Sequence, residues 1–167
     1  ETLEWIDNFK PHSVLWDIGA NVGMYSIYAA ARGHYVVAFE PAVDHFDVLM
    51  HNMALNQLDI DPQNIAIDED TEESELSCLA QPDHIKLDVD GPELDILRKI
   101  RPWLDGVREV LVEWRDGLVR KVTKAAAGDG LSKLAQDLRL PRRGDFTVAV
   151  NEALRRAWER GGVDARK

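Results

Sequence analysis

The segment from Ser13 to Arg32 constrains the fold more than any other part of the chain. Ser13-Val14-Leu15-Trp16-Asp17-Ile18 is an apolar run of strand length that ends on Gly19. Val22 to Arg32 follows as a helix of small residues, which Gly33 terminates. The alternation continues beyond this unit. Tyr35-Val36-Val37-Ala38-Phe39 reads as a second strand closed by Glu40-Pro41, and Val43 to Asn56 as a helix with Phe46, Leu49, Met50, Met53 and Ala54 on one face. Asn64 to Ile67 is a weak third strand. Ile85 to Val89 is a fourth, with Pro92 opening a helix that runs to about Ile100. Glu109 to Trp114 is a fifth. Continuous apolar strands alternating with helices imply an α/β fold with a mostly parallel sheet covered on both faces.

The last third is less regular. Leu131 to Leu140 and Glu152 to Arg160 read as helices, and Asp145 to Val150 as a strand with Phe146, Val148 and Val150 on one face. No internal repeat and no Pro/Gly/Ser-rich linker divides the 167 residues, so a single domain over 1–167 is expected. The stretch between the third and fourth strands fits badly. A crossover with its helix needs at least about 10–12 residues, and half of this one is the run Asp68-Glu69-Asp70-Thr71-Glu72-Glu73-Ser74-Glu75. Like charges repel and little apolar surface is available for burial, so the run is expected to be mobile or to flank residues absent from the chain.

The same run carries six of the acidic residues behind a formal net charge of -10. An acidic balance argues against a broad nucleic-acid or anionic-membrane surface. Cys78 is the only cysteine, so an internal disulfide and a cysteine-rich metal site are both excluded. No apolar run approaches the ~18 residues of a membrane span, and no signal peptide is visible at the start of the sequence. A cytoplasmic protein is the expectation.

Asp17-Ile18-Gly19-Ala20-Asn21-Val22-Gly23 is the segment richest in chemistry. Glycines let the backbone turn sharply and let a ligand approach it. The helix that follows offers N–H groups and a positive dipole end to a carboxylate or phosphate. Glu40, ending the next strand beside Pro41, can accept hydrogen bonds from two adjacent ribose hydroxyls. A dinucleotide turn wants glycine where Asn21 stands, because the pyrophosphate needs that space. S-adenosylmethionine brings an amino-acid end instead, and Asp17 could serve its ammonium directly or through water. The pattern Asp-x-Gly-x-Asn-x-Gly therefore favours the methyl donor, with Asp17, Gly19, Asn21, Gly23, Glu40 and Pro41 as its binding residues. Against this stands the plain reading of a strand-turn-helix whose glycines serve packing alone.

Asp17-Ile18-Gly19-Ala20-Asn21-Val22-Gly23-Met24-Tyr25-Ser26, then Phe39-Glu40-Pro41 and Leu55-Asn56, resembles the FkbM family of S-adenosylmethionine-dependent methyltransferases. Ile85-Lys86-Leu87-Asp88-Val89-Asp90-Gly91-Pro92-Glu93 is similar to that family's fourth-strand motif, and Val110-Leu111-Val112-Glu113 to its fifth strand. The resemblance covers roughly residues 10 to 114. It implies a Rossmann-like class I methyltransferase fold with a seven-stranded sheet and methyl transfer, mostly to hydroxyl oxygens of sugars, polyketides and similar metabolites. The chain departs from the family pattern between Ile67 and Gln81 and after Trp114, where an acceptor pocket would be shaped.

In an open α/β sheet, ligands bind beyond the carboxyl ends of the strands. Asp88, Asp90, Glu93 and Glu113 should converge there. If the fourth strand stays regular, Lys86, Asp88 and Asp90 share a face. Asp88, Asp90 and Glu113 are the candidate catalytic residues: Asp90 nearest the acceptor, Asp88 supporting the donor, and one of the three relieving an acceptor hydroxyl of its proton. A carboxylate cluster could also hold a divalent cation, a reading not favoured here. Lys86 reads as one half of a structural ion pair rather than a catalytic group. His12, His34, His45, His51 and His84 lack metal-ligand spacing and read as structural or solvated. Trp114 is a candidate wall of the acceptor pocket. The expected acceptor is a small molecule or carbohydrate. A nicotinamide oxidoreductase and a non-catalytic module retaining the fold are the competing readings.

Overall fold

The computed structural model describes residues 2–113 and 119–123. Among the described residues, six strands form one sheet: β1 (Val14–Ile18), β2 (Tyr35–Phe39), β3 (Asp61–Gln63), β4 (His84–Leu87), β5 (Glu109–Glu113) and β6 (Val119–Thr123). Their order across the sheet is β3-β2-β1-β4-β5-β6. The first five are parallel to their neighbours, and β6 runs antiparallel to β5. The chain winds outward from β1 to β3 and then returns to β4 on the other side of β1. That reversal places a crevice beyond the carboxyl ends of β1 and β4.

The strands are apolar on both faces, as the sequence requires of a covered parallel sheet. Trp16, Ile18, Phe39, Ile85, Leu87, Val110 and Val112 pack on one side with Ile96 of α5 (Glu93–Lys99), Trp103 and Leu104 of α6 (Arg101–Leu104), and Ile100 between the two helices. Leu15, Val36, Ala38 and Leu111 pack on the other with α1 (Thr2–Asp7), α2 (Met24–Ala31) and α3 (Val43–Asn56). At the amino-terminal edge of the sheet, Phe9 stacks flat on His84 with ring centroids 3.7 Å apart, and the Trp5 indole N–H donates to Glu109 at 2.7 Å. His84 thus lies away from the carboxyl ends of the strands.

Several boundaries differ from the sequence reading. The third strand is Asp61–Gln63, not Asn64–Ile67, because Val37 to Phe39 of β2 pair with it in that register. Pro62 is accommodated because β3 is an edge strand. Ile65 and Ile67 are thereby pushed past the strand end, where they line a cleft. The acidic run is also corrected. Asp68 Oδ1 accepts the backbone N–H groups of Asp70 and Thr71, and the Thr71 hydroxyl donates to the Ala66 carbonyl at 3.1 Å. Glu72 and Glu75 form a capping box at the start of α4 (Glu73–Ser77), whose Leu76 is fully buried. Local caps and one anchoring leucine let a highly charged segment form the crossover that its composition seemed to forbid. β4 stops at Leu87 rather than Val89. The expected elements at residues 131–140, 145–150 and 152–160, and Trp114, lie outside the described residues.

Candidate functional site

The site grows out of the end of β1. Gly19 has φ +80°, and a Cβ placed there would lie 1.8 Å from the Asp88 carbonyl oxygen. The glycine is required because the end of β4 passes over it, held by the Asp88 N–H donating to the Ile18 carbonyl at 3.0 Å. The N–H groups of the turn itself are engaged within the chain. Those of Gly19 and Ala20 both donate to the Phe39 carbonyl, that of Asn21 to Glu40 Oε2 at 2.8 Å, that of Val22 to Asn21 Oδ1, and that of Gly23 to the Ala20 carbonyl. Asn21 adopts φ +53°, and this local curl turns the amides inward. A Cβ on Gly23 would meet Leu49 Cδ1 at 2.3 Å, so the second glycine of the pair serves the packing of α2 against α3.

Glu40 ends β2 with little exposure. Its Oε2 accepts from Asn21 and its Oε1 from the Ala42 N–H at 2.9 Å, with His45 Nδ1 3.7 Å from Oε1. The carboxylate thereby fastens the β1 turn to the start of α3. Asn64 donates to the Glu40 carbonyl at 2.8 Å and fixes the chain leaving β3.

Beside these groups opens a cleft of about 760 Å³. Ile18, Gly19, Phe39, Pro41, Ile65, Ile67 and Val89 supply its walls, with Asp68, Glu69, Arg98 and Lys99 among the polar lining. Its size and mixed lining are those of a small-molecule site. The segment Ile65 to Glu69 is not among the candidate residues, because Ile65 to Ile67 read as part of a strand and Asp68-Glu69 as the start of an acidic loop. The alternation of Ile65 and Ile67 was the available signal.

Asp17 is sealed in the interior. Its Oδ2 accepts from the Ser26 hydroxyl at 2.6 Å and its Oδ1 lies 3.2 Å from Lys86 Nζ. It does not present a carboxylate to the cleft. Lys86 also reaches Asp88 Oδ2 at 3.3 Å, so the ion pair expected of Lys86 is present, with two partners instead of one. Burial alone would lower the Lys86 pKa, but Asp17 and Asp88 outweigh it and leave the ammonium pKa raised. Asp88 is half-buried and Asp90 exposed.

Asp90 does not continue the face of Lys86 and Asp88, because β4 has ended and Asp90 sits at φ +55°. Glu93 is buried and turned back on its own loop, accepting the Gly91 N–H at 2.8 Å. It braces the loop and does not join the other carboxylates. Glu113, half-buried at the end of β5, has its pKa raised first by burial and then by the charges of Asp88 and Asp90, with Lys86 opposing. Asp88, Asp90 and Glu113 are thus electrostatic neighbours. Among the described residues, no group of three or more His, Cys, Asp or Glu side chains is arranged to hold a metal ion.

The strand order, the β1 turn and the crevice at the strand ends define a Rossmann-like methyltransferase fold. The chain is 27% identical over 179 residues to the hexuronic acid methyltransferase AglP of Haloferax volcanii, an alignment covering 86% of this chain and 72% of that protein. No protein-family model matches the chain. The C-terminal domain of precorrin-6Y C5,15-methyltransferase from Rhodobacter capsulatus superposes with a TM-score of 0.53 at 19% identity, covering 65% of this chain and 56% of that one. The tRNA (uracil-54, C5)-methyltransferase of Pyrococcus abyssi, in complex with S-adenosyl-L-homocysteine, superposes with a TM-score of 0.52 at 15% identity, covering 83% of this chain and 30% of that one. The chain therefore spans about half or less of these two solved structures. The fold by itself does not exclude nucleic-acid acceptors. No described helix is long and apolar enough to cross a membrane.

Proposed function

We propose that this protein is an S-adenosylmethionine-dependent methyltransferase of FkbM type that methylates a hydroxyl oxygen of a carbohydrate or similar small acceptor. The observation that carries the reading is the cleft at the carboxyl ends of β1, β2 and β4, with Gly19 and Pro41 in its wall and Glu40 beside them. These residues fit the donor. The apolar walls suit a flat base, Glu40 offers a carboxylate to ribose hydroxyls, and Asp88 is a carboxylate for an ammonium. The bound donor supplies a methyl group on a sulfonium, which an oxygen nucleophile takes.

The remaining work falls to this chain's own residues. Asp88 orients the donor's amino end. Asp90, exposed beyond β4, faces the acceptor side. Glu113 serves as general base, since a carboxylate with a raised pKa accepts a hydroxyl proton better than an ordinary one. Likeness to a hexuronic acid methyltransferase supports a sugar acid as acceptor.

Calorimetry with S-adenosylhomocysteine and with NAD tests the donor reading: the former should bind and the latter should not. Transfer of labelled methyl groups onto uronic acids and neutral sugars then tests the acceptor. Binding of NAD in place of S-adenosylhomocysteine would replace the whole assignment with an oxidoreductase.

A further inference from the structure

A buried ion pair contributes little net stability relative to an apolar pair of the same volume. Stability alone therefore gives no reason for a lysine in the middle of β4. Lys86 stands in register with Asp17 on β1 and with Leu111 on β5. Glu113 lies two residues beyond Leu111, on the same face. The Lys86 ammonium is 3.2 Å from Asp17, 3.3 Å from Asp88 and 4.9 Å from the centre of the Tyr25 ring on α2. Ser26, also on α2, holds the second oxygen of Asp17. The inner half of this arrangement is fixed on every side.

We propose that Lys86 is a positioning residue: anchored in the core by Asp17, it holds the Asp88 carboxylate in one orientation beside the Gly19 turn and so divides the labour between Asp88 and Glu113. One oxygen of Asp88 is taken by the ammonium. The carboxylate, with a third of its side chain exposed, keeps its other oxygen for a cationic ligand group. Glu113 takes only the more distant attraction of Lys86 and feels Asp88 and Asp90 as like charges. The charged and titratable groups around this pair are Asp17, Lys86, Asp88, Asp90, Glu113 and Tyr25, drawn from β1, β4 and the loop after it, β5 and α2. Neighbouring carboxylates held by different contacts can take different tasks. The role assigned to Asp88 rests on the donor reading above, whereas the effect on Glu113 does not.

The test compares Asp17→Asn with Asp17→Asn/Lys86→Met and Asp17→Asn/Lys86→Gln, which remove both buried charges together. Asp17→Asn, which loosens the anchor but keeps the ammonium, should bind S-adenosylhomocysteine more weakly than the wild type. The charge-free variants should melt cooperatively, bind it at least fivefold more weakly than Asp17→Asn, and raise the titration midpoint of Glu113. That midpoint is read by carbon-13 NMR on ligand-free protein, where loss of the Lys86 charge removes the one attraction that opposes the rise. Equal affinity and an unmoved Glu113 midpoint would overturn the proposal. So would loss of cooperative melting in both charge-free variants while Asp17→Asn folds, which assigns Lys86 to fold maintenance. A wild-type protein that binds no S-adenosylhomocysteine sinks the donor reading, and the Glu113 midpoint then decides the effect of Lys86 by itself.

Discussion

Gly19 and Asp88 meet where the first and fourth strands end, so closely that a Cβ on Gly19 would lie 1.8 Å from the Asp88 carbonyl oxygen. Gly33, by contrast, has a similar φ of +83° but nothing within 4 Å of where a Cβ would stand. The two glycines separate backbone strain from steric overlap. Gly33→Ala should cost about 1–2 kcal/mol, the penalty of a left-handed alanine. Gly19→Ala should cost roughly 1–3 kcal/mol more, since backbone is what must move. Urea denaturation measures both, and equal losses would refute the close approach of β4 to the β1 turn.

Glu40 holds two backbone amides and is, in the proposed function, the residue that meets ribose hydroxyls. Glu40→Ala should weaken S-adenosylhomocysteine at least tenfold, since a hydrogen bond to a charged group is worth about 1.5–3 kcal/mol. It should also lower the melting temperature, because the N–H groups of Asn21 and Ala42 lose their acceptor. Calorimetry and thermal melts read the two effects separately. Undiminished affinity in a folded Glu40→Ala protein would remove Glu40 from the donor site.

Glu113 should set the acid limb of the activity profile. Its pKa is raised in the fold above the ordinary 4.5 by burial and by Asp88 and Asp90. A base must be ionised, so turnover should fall as pH drops through that raised value. For stability the sign is opposite: the protonated form is favoured in the fold, so this contribution is complete below 4.5 and is lost as pH rises through the raised value. Glu113→Gln should lower kcat by about 10²-fold and abolish the acid limb, with donor-analogue affinity little changed. A pH–rate profile identical to wild type would return the search to Asp90.

His34 should make the fold acid-sensitive near neutrality. Burial, then the nearby His84 and His12, lower its pKa from the ordinary 6.5. The unfolded chain therefore takes up a proton before the folded one does. Stability is complete above about 6.5 and is lost as pH falls from there toward the lower folded value. Denaturation between pH 7.5 and 5.5, above most carboxylate titration, should show the loss, and His34→Gln should flatten it. An equal slope in the variant would place the sensitivity elsewhere.

The sequence determined β1, β2, α3 and β5 nearly to the residue, because each is a continuous apolar or strongly periodic run bounded by glycine, proline or charge. It also placed Glu40 and Glu113 at strand ends, which follows from counting along a parallel sheet. Pairing decided the rest. β3 moved onto Asp61–Gln63 because the register with β2 outweighed the stronger local pattern of Ile65 and Ile67, and that shift turned both isoleucines into cleft walls. The acidic crossover closed because caps within the segment and one buried leucine offset its charge. Asp17 and Glu93 read as site residues from position alone. Only the folded chain shows Asp17 locked between Ser26 and Lys86 and Glu93 folded back on Gly91, because a short side chain's partner is set by what packs around it, not by where it falls in the sequence.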